Sequence, residues 1–128
     1  MLPPVMGTML ELERRGTTVR RVYVSGDTLT GDHLDSIAER YPTIDHAVVH
    51  LGGTRVLMHT VTMDDRQGVD CLRRVKPRHV IPVHHDDYRV FRSPLADFVQ
   101  RARREGLGDL VTPIERGQTV GFDESPTV

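Results

Sequence analysis

Residues 47–51 read Ala-Val-Val-His-Leu, and this stretch decides how the rest of the chain is arranged. In an extended strand Ala47, Val49 and Leu51 point one way, and Val48 and His50 the other. Apolar side chains on both sides mark a strand covered on both faces. Val80-Ile81-Pro82-Val83 shows the same pattern. Both segments therefore belong inside a sheet. Gly52-Gly53 ends the first, and Pro82 predicts fraying or a bulge in the second.

Upstream, Val5 to Glu13 and Thr17 to Val24 predict a hairpin turning at Arg15-Gly16. Its second arm runs into the polar loop Ser25-Gly26-Asp27-Thr28. A helix is expected from Asp32 to Tyr41, capped by Thr30 or Asp32 and stopped by Pro42. Arg55 to Met58 reads as a short strand. Met63 to Val75 is the second helix, with Thr62 as cap and Asp65 as its capping-box partner. Gly68 should weaken its interior by roughly 1 kcal/mol relative to Ala. After a second polar loop, His84-His85-Asp86-Asp87-Tyr88, a third helix begins with Ser93 as cap and Pro94 at its first position. Leu95, Phe98, Val99 and Ala102 form its stripe, and Gly106 closes it. Leu110 to Phe122 suggests two short strands around Arg116-Gly117. The order ββαβ(β)αβαβ(β) is an α/β fold, a mixed sheet with packed helices, and residues 1–128 are expected to form one domain. Either the helices divide between the two faces, or all lie on one and the other face awaits a second layer or a second copy.

Composition narrows the function. The 128 residues include 17 Lys plus Arg against 18 Asp plus Glu, a net charge of −1, which argues against a nucleic-acid partner. The basic clusters Arg101, Arg103, Arg104 and Arg73, Arg74, Lys76, Arg78 read as solvated faces at helix C-termini. Cys71 stands alone, which excludes an intrachain disulfide and a Cys-rich zinc site, and it reads as buried and inert. No run approaches 18 apolar residues, so no membrane span or membrane partner is expected. The start MLPPVMGTML does not read as a signal peptide, so a cytoplasmic location is expected. No G-x-S-x-G occurs, which removes a serine-hydrolase reading of that type.

The chemistry falls on the two polar loops, each following a strand. Strand ends in parallel and mixed sheets converge on one rim, which would bring Asp27 and His84 together. A carboxylate and an imidazole suit Zn²⁺, Mn²⁺ or Fe²⁺. Asp27 has two oxygens with which to bridge two ions, and Asp86 is placed to orient His84. Against this stand two plainer readings: Gly-Asp-Thr as a capping turn, and His-His-Asp-Asp as solvated surface. Two ligands do not complete a catalytic zinc site. Further candidates are His33, His50, His59, His85, Asp86 and Asp87. One alternative set is a mononuclear site from His84, His85, Asp86 and a histidine of the first half. His50 fits a core or interface role equally well. His46 and His79 lie at strand starts, the wrong end, and read as structural.

In order along the chain, YVSGDT (residues 23–28), VVHLGG (48–53) and TMDDRQGVDCLRRVKPRHVIPVHHDDY (62–88), with the final helix, resemble the C-terminal half of the metallo-beta-lactamase superfamily, in particular its lactonase-like metal-dependent hydrolases. The likeness runs from about Pro4 to Phe122. It implies one half of an αββα sandwich, Asp27 as the carboxylate bridging two metal ions, and His84 as a ligand of the second. It also implies hydrolysis of a small ester, lactone, amide or phosphodiester by a metal-activated water. The family's H-x-H-x-D-H motif, which belongs to the N-terminal half, does not occur in this sequence. The resemblance therefore implies a truncated chain, a misassigned start, a piece of a longer reading frame, or a homodimer whose second copy replaces the missing layer. Such a chain would be weakly active or inactive alone. A non-catalytic module that self-associates through the uncovered sheet face is the alternative.

Overall fold

The computed structural model describes residues 6–52, 55–56, 59–60, 63–83 and 95–122. Strands β1 (Thr8–Arg14) and β2 (Thr17–Val24) form the expected hairpin. Arg15 and Gly16 both take positive φ, 53° and 78°, as a two-residue loop matched to strand twist requires. The register shifts once, between Leu12 and Glu13. A single 3-10 turn (Asp32–Leu34) leads into helix α1 (Asp35–Arg40). Strand β3 (His46–His50) follows, then the small antiparallel pair β4 (Arg55–Val56) and β5 (His59–Thr60). Helix α2 (Asp65–Val75), strand β6 (His79–Val83) and helix α3 (Leu95–Arg104) complete the order.

The main sheet runs β1-β2-β3-β6. The first pair is antiparallel, while β2, β3 and β6 are parallel. This is the mixed sheet the sequence predicts. Tyr23, Ala47, Val49 and Val80 point to one face and join Val69, Leu72, Val75, Phe98 and Ala102 of the helices in one buried cluster, with Leu34 beside them. Leu10, Val22, Val24, Val48 and Ile81 point the other way by register and lie outside that cluster. The packed helices therefore share one face. On the reverse face Leu10 and Leu12 remain 49% and 46% exposed. At its far end Phe122 from the chain's tail packs on His46, ring centroids 4.5 Å apart.

Several local expectations are corrected. The first helix divides into the 3-10 turn and a six-residue α1, and neither start carries a side-chain cap. Thr30 instead gives its hydroxyl to Asp70, 2.6 Å away. The cap of α2 is Asp64, not Thr62: its carboxylate accepts from the Gln67 N–H at 2.8 Å while the Gln67 amide oxygen accepts from the Asp64 N–H at 3.3 Å. Gly68 is there for closeness, since a Cβ would lie 2.7 Å from Leu51 Cδ2 and 2.9 Å from Phe98 Cε2. Pro82 neither frays nor bulges β6, where Val49 pairs with Pro82 in regular register. In a parallel strand alternate residues bond to alternate sides. His79 and Val83 bond to the β3 side, while Val80 accepts from Thr112 on the outer side. Pro82 shares the outer parity, so its missing N–H removes no bond to β3.

Gly106, at φ 78°, closes α3 as expected. The N–H groups of Leu107 and Gly106 return to the carbonyls of Ala102 and Arg103, a Schellman arrangement. Ser93 and Pro94 lie outside the described residues. The expected tail strands are replaced by a 3-10 turn (Gly108–Leu110) and a single bridge from Val111 to Val80. Among the described residues no helix is long and apolar enough to cross a membrane.

Candidate functional site

The three parallel strands bring their C-terminal ends to one rim. On one side of β3 the Ser25 N–H donates to the Val48 carbonyl at 2.9 Å. The buried Ser25 hydroxyl accepts from the His50 N–H at 2.9 Å and donates to the Gly26 carbonyl at 2.9 Å. The Thr28 hydroxyl donates to the Ser25 carbonyl, also at 2.9 Å. On the other side the Leu51 N–H donates to the Val83 carbonyl at 2.9 Å, while the Gly52 N–H, which shares the parity of His50, donates to the Met63 carbonyl at 3.1 Å on the Ser25 side. Ser25 and Val83 thus flank β3 across two strand spacings, about 10 Å.

Gly26 sits at φ 60° with the Met6 carbonyl oxygen 2.7 Å from where a Cβ would stand, so both conformation and space select glycine. Asp27 follows it in the turn and is exposed. Val83 hands the chain to His84, which lies outside the described residues together with His85, Asp86 and Asp87. His50 ends β3 half-buried on the reverse face, and His33 is exposed in the 3-10 turn. His59 belongs to β5.

In kind, one carboxylate and the imidazoles that follow Val83 suit a divalent transition metal. The described residues contribute only part of such a set: among them no group of three His, Cys, Asp or Glu side chains converges as a metal cage would.

The loop bearing Asp27 is also held from below. Asp70 on α2 accepts from Thr30 at 2.6 Å and from Arg74 Nε at 2.9 Å. Arg74 Nη1 reaches Asp32 at 3.1 Å and Asp35 at 3.0 Å. The Thr30 hydroxyl, working against partial burial, and the Arg74 guanidinium hold the Asp70 carboxyl below the usual carboxylate range. Next to Asp70, burial and then that carboxylate push the Cys71 thiol up to about 12, which accounts for an inert cysteine. Burial, then Cys71, raises Tyr23 to about 12 despite a bond to Thr28.

The opposite rim is structural, as its histidines predict. His46 is buried, and its ring lies 5.1 Å from that of His79. Asp45, which sequence reasoning missed, is buried beside them. Its carboxylate accepts from the Arg21 N–H at 2.9 Å and lies 3.8 Å from Arg20 and 3.7 Å from Arg78. A groove of about 730 Å³ lined by Asp35, Glu39, Asp70, Arg73, Arg74 and Lys76 opens between α1 and α2. It extends to the end of α2, which the Arg78 N–H to Ile44 carbonyl bond ties to this opposite rim.

The profile of the beta-lactamase superfamily domain matches residues 4–85. The chain belongs to that superfamily. A metal-dependent hydrolase from Polynucleobacter asymbioticus is 31% identical over 118 residues, which is 91% of this chain and 37% of the relative. One from Nanoarchaeum equitans is 27% identical over 92 residues, 72% of this chain and 40% of the relative. Among solved structures, a metallo hydrolase from the hyperthermophilic archaeon Ignicoccus hospitalis superimposes with a TM-score of 0.66 at 27% identity, covering 80% of this chain and 41% of its own. The chain thus spans about two fifths of the length of these relatives.

Proposed function

We propose that this chain forms the C-terminal half of a metal-dependent hydrolase, with Asp27 and His84 as metal ligands and a small ester or lactone as substrate. The observation that carries the reading is the hydrogen-bonded rim, where Ser25 and Val83 flank β3 and lead directly to Asp27 and His84. Among the described residues no helix packs on the reverse face, and this, with a chain two fifths as long as the relatives it matches, agrees with half of a two-sheet sandwich. When bound, the metal would supply Lewis-acid polarisation and water activation. The chain's own part is to present the Asp27 carboxylate on a turn fixed by Ser25, Gly26 and Thr28.

Two ligands hold a metal loosely, so the chain alone should bind Zn²⁺ weakly and turn over little or no ester. Calorimetric titration with Zn²⁺ should show weak uptake that Asp27→Ala and His84→Ala each remove. Robust ester turnover by this chain, abolished by Asp27→Ala, would overturn the inactive half of the proposal. Uptake unchanged in both variants would overturn the ligand assignment.

The exposed Leu10 and Leu12 favour a second reading, a module that pairs with another copy through its reverse face. Light scattering separates the two. A concentration-dependent dimer dispersed by Leu12→Asp supports pairing, and a monomer with a cooperative melt contradicts it.

A further inference from the structure

We infer that Thr30, Asp70 and Arg74 form a positioning clamp that holds the Asp27 turn at the rim, an inference that rests on the metal-site reading for its functional meaning. Upstream of Asp27, the turn is tied to β3 through Ser25. Downstream, the Thr28 hydroxyl bonds back to the Ser25 carbonyl at 2.9 Å, and two residues on the Thr30 hydroxyl ties the segment to α2 through Asp70, at 2.6 Å. Arg74 shares that carboxylate at 2.9 Å, and spends its other contacts on Asp32 and Asp35, at 3.1 and 3.0 Å. The guanidinium thus joins α2 to two points of the segment that follows Asp27, and the Asp70 carboxylate beside it joins a third, Thr30. The Thr30–Asp70–Arg74 contacts are charge-assisted and part-buried and carry most of the clamp, while the pairs to the exposed Asp32 and Asp35 are screened by solvent and add less.

The geometry is also selective. Asp70 and Arg74 are one helical turn apart and face the loop together. The helix itself is anchored independently by the Asp64 capping box and by Val69, Leu72 and Val75 in the core. Loss of the clamp should therefore loosen residues 26–34 while α2 stays folded.

The test uses the full chain carrying Thr30→Val, Arg74→Gln or the conservative Thr30→Ser. Backbone nitrogen relaxation should give order parameters near 0.85 for residues 26–34 of the unaltered chain, falling toward about 0.6 in Thr30→Val and Arg74→Gln. Exchange of the Leu34 amide, which bonds the Gly31 carbonyl at 3.0 Å, should rise about tenfold in both. Thr30→Ser should restore both readings, and β3 amides should not change. Mn²⁺ affinity should weaken about fivefold with the same pattern of rescue, the cost of a loosened ligand. Unchanged order across 26–34, or a rise in exchange that β3 shares equally, overturns the clamp. If the loop loosens and recovers as expected while even the unaltered chain takes up no Mn²⁺, the clamp stands and the metal reading falls.

Discussion

The two ends of the parallel strands carry the same residue types and use them differently. At the N-terminal rim Asp45 is buried among Arg20, Arg21 and Arg78, and His46 is packed between His79 and Phe122. At the C-terminal rim Asp27 stands exposed on a turn whose backbone is bound on both sides. A carboxylate near histidines is a brace in the first setting and a candidate ligand in the second. What separates them is the direction of the strands, because loops at the carboxyl ends lie outside the sheet's own ladder and are free to present side chains.

The largest expected effect breaks the brace. Asp45→Ala should cost about 2 kcal/mol in a urea melt, since it strips a buried acceptor from the Arg21 N–H and takes the counter-charge from the Arg20 and Arg78 guanidinium groups. Asp27→Ala should stay within about 0.5 kcal/mol of the unaltered chain, as exposed substitutions do. Equal losses would erase the contrast between the rims. Gly26→Ala comes next, at about 1–2 kcal/mol, because its positive φ and the Met6 carbonyl both resist a Cβ. Gly117→Ala, with φ at 84° and open space around it, should cost less, about 1 kcal/mol.

A smaller effect concerns acid. Burial tends to raise the Asp65 carboxyl, but the Arg101 bond at 2.6 Å more than offsets this, and its folded value lies below the ordinary 3.8. Asp70 is lowered in the same sense. A depressed carboxylate contributes stability above its unfolded value and loses it as pH falls through the folded one. The urea midpoint should therefore fall as pH drops below about 4, and Asp65→Asn should flatten that slope. Smallest is the Cys71 signal: with its thiol pushed up to about 12, iodoacetamide at pH 8 should label the chain only after unfolding.

Much of this architecture was legible in the residues. Alternation in 47–51 placed β3 inside a sheet, Arg15-Gly16 placed the hairpin turn, and Gly106 placed the end of α3. The misreadings share a cause. Thr62 and Asp64 are both good caps, and the choice fell to the residue whose partner three positions on, Gln67, could reciprocate. Pro82 looked disruptive because the pattern shows the residue and not which side of the strand its nitrogen faces. The propensity cost of Gly68 was legible, but its reason, the close approach of Leu51 and Phe98, was not, because both are remote in sequence. Asp45 gave no signal, since Arg20, Arg21 and Arg78 reach it only through the fold. The Asp27 rim was predictable from strand order, while His84 and its neighbours lie outside the described residues.

The most direct test of the shared rim is paramagnetic broadening of amide signals by Mn²⁺. Broadening should centre on residues 25–28, 50–52 and 83–86, spare Asp45, His46 and His79, and vanish in Asp27→Ala. Broadening centred on Asp45 and His79, or persisting unchanged in Asp27→Ala, would contradict a metal site built from Asp27 and His84.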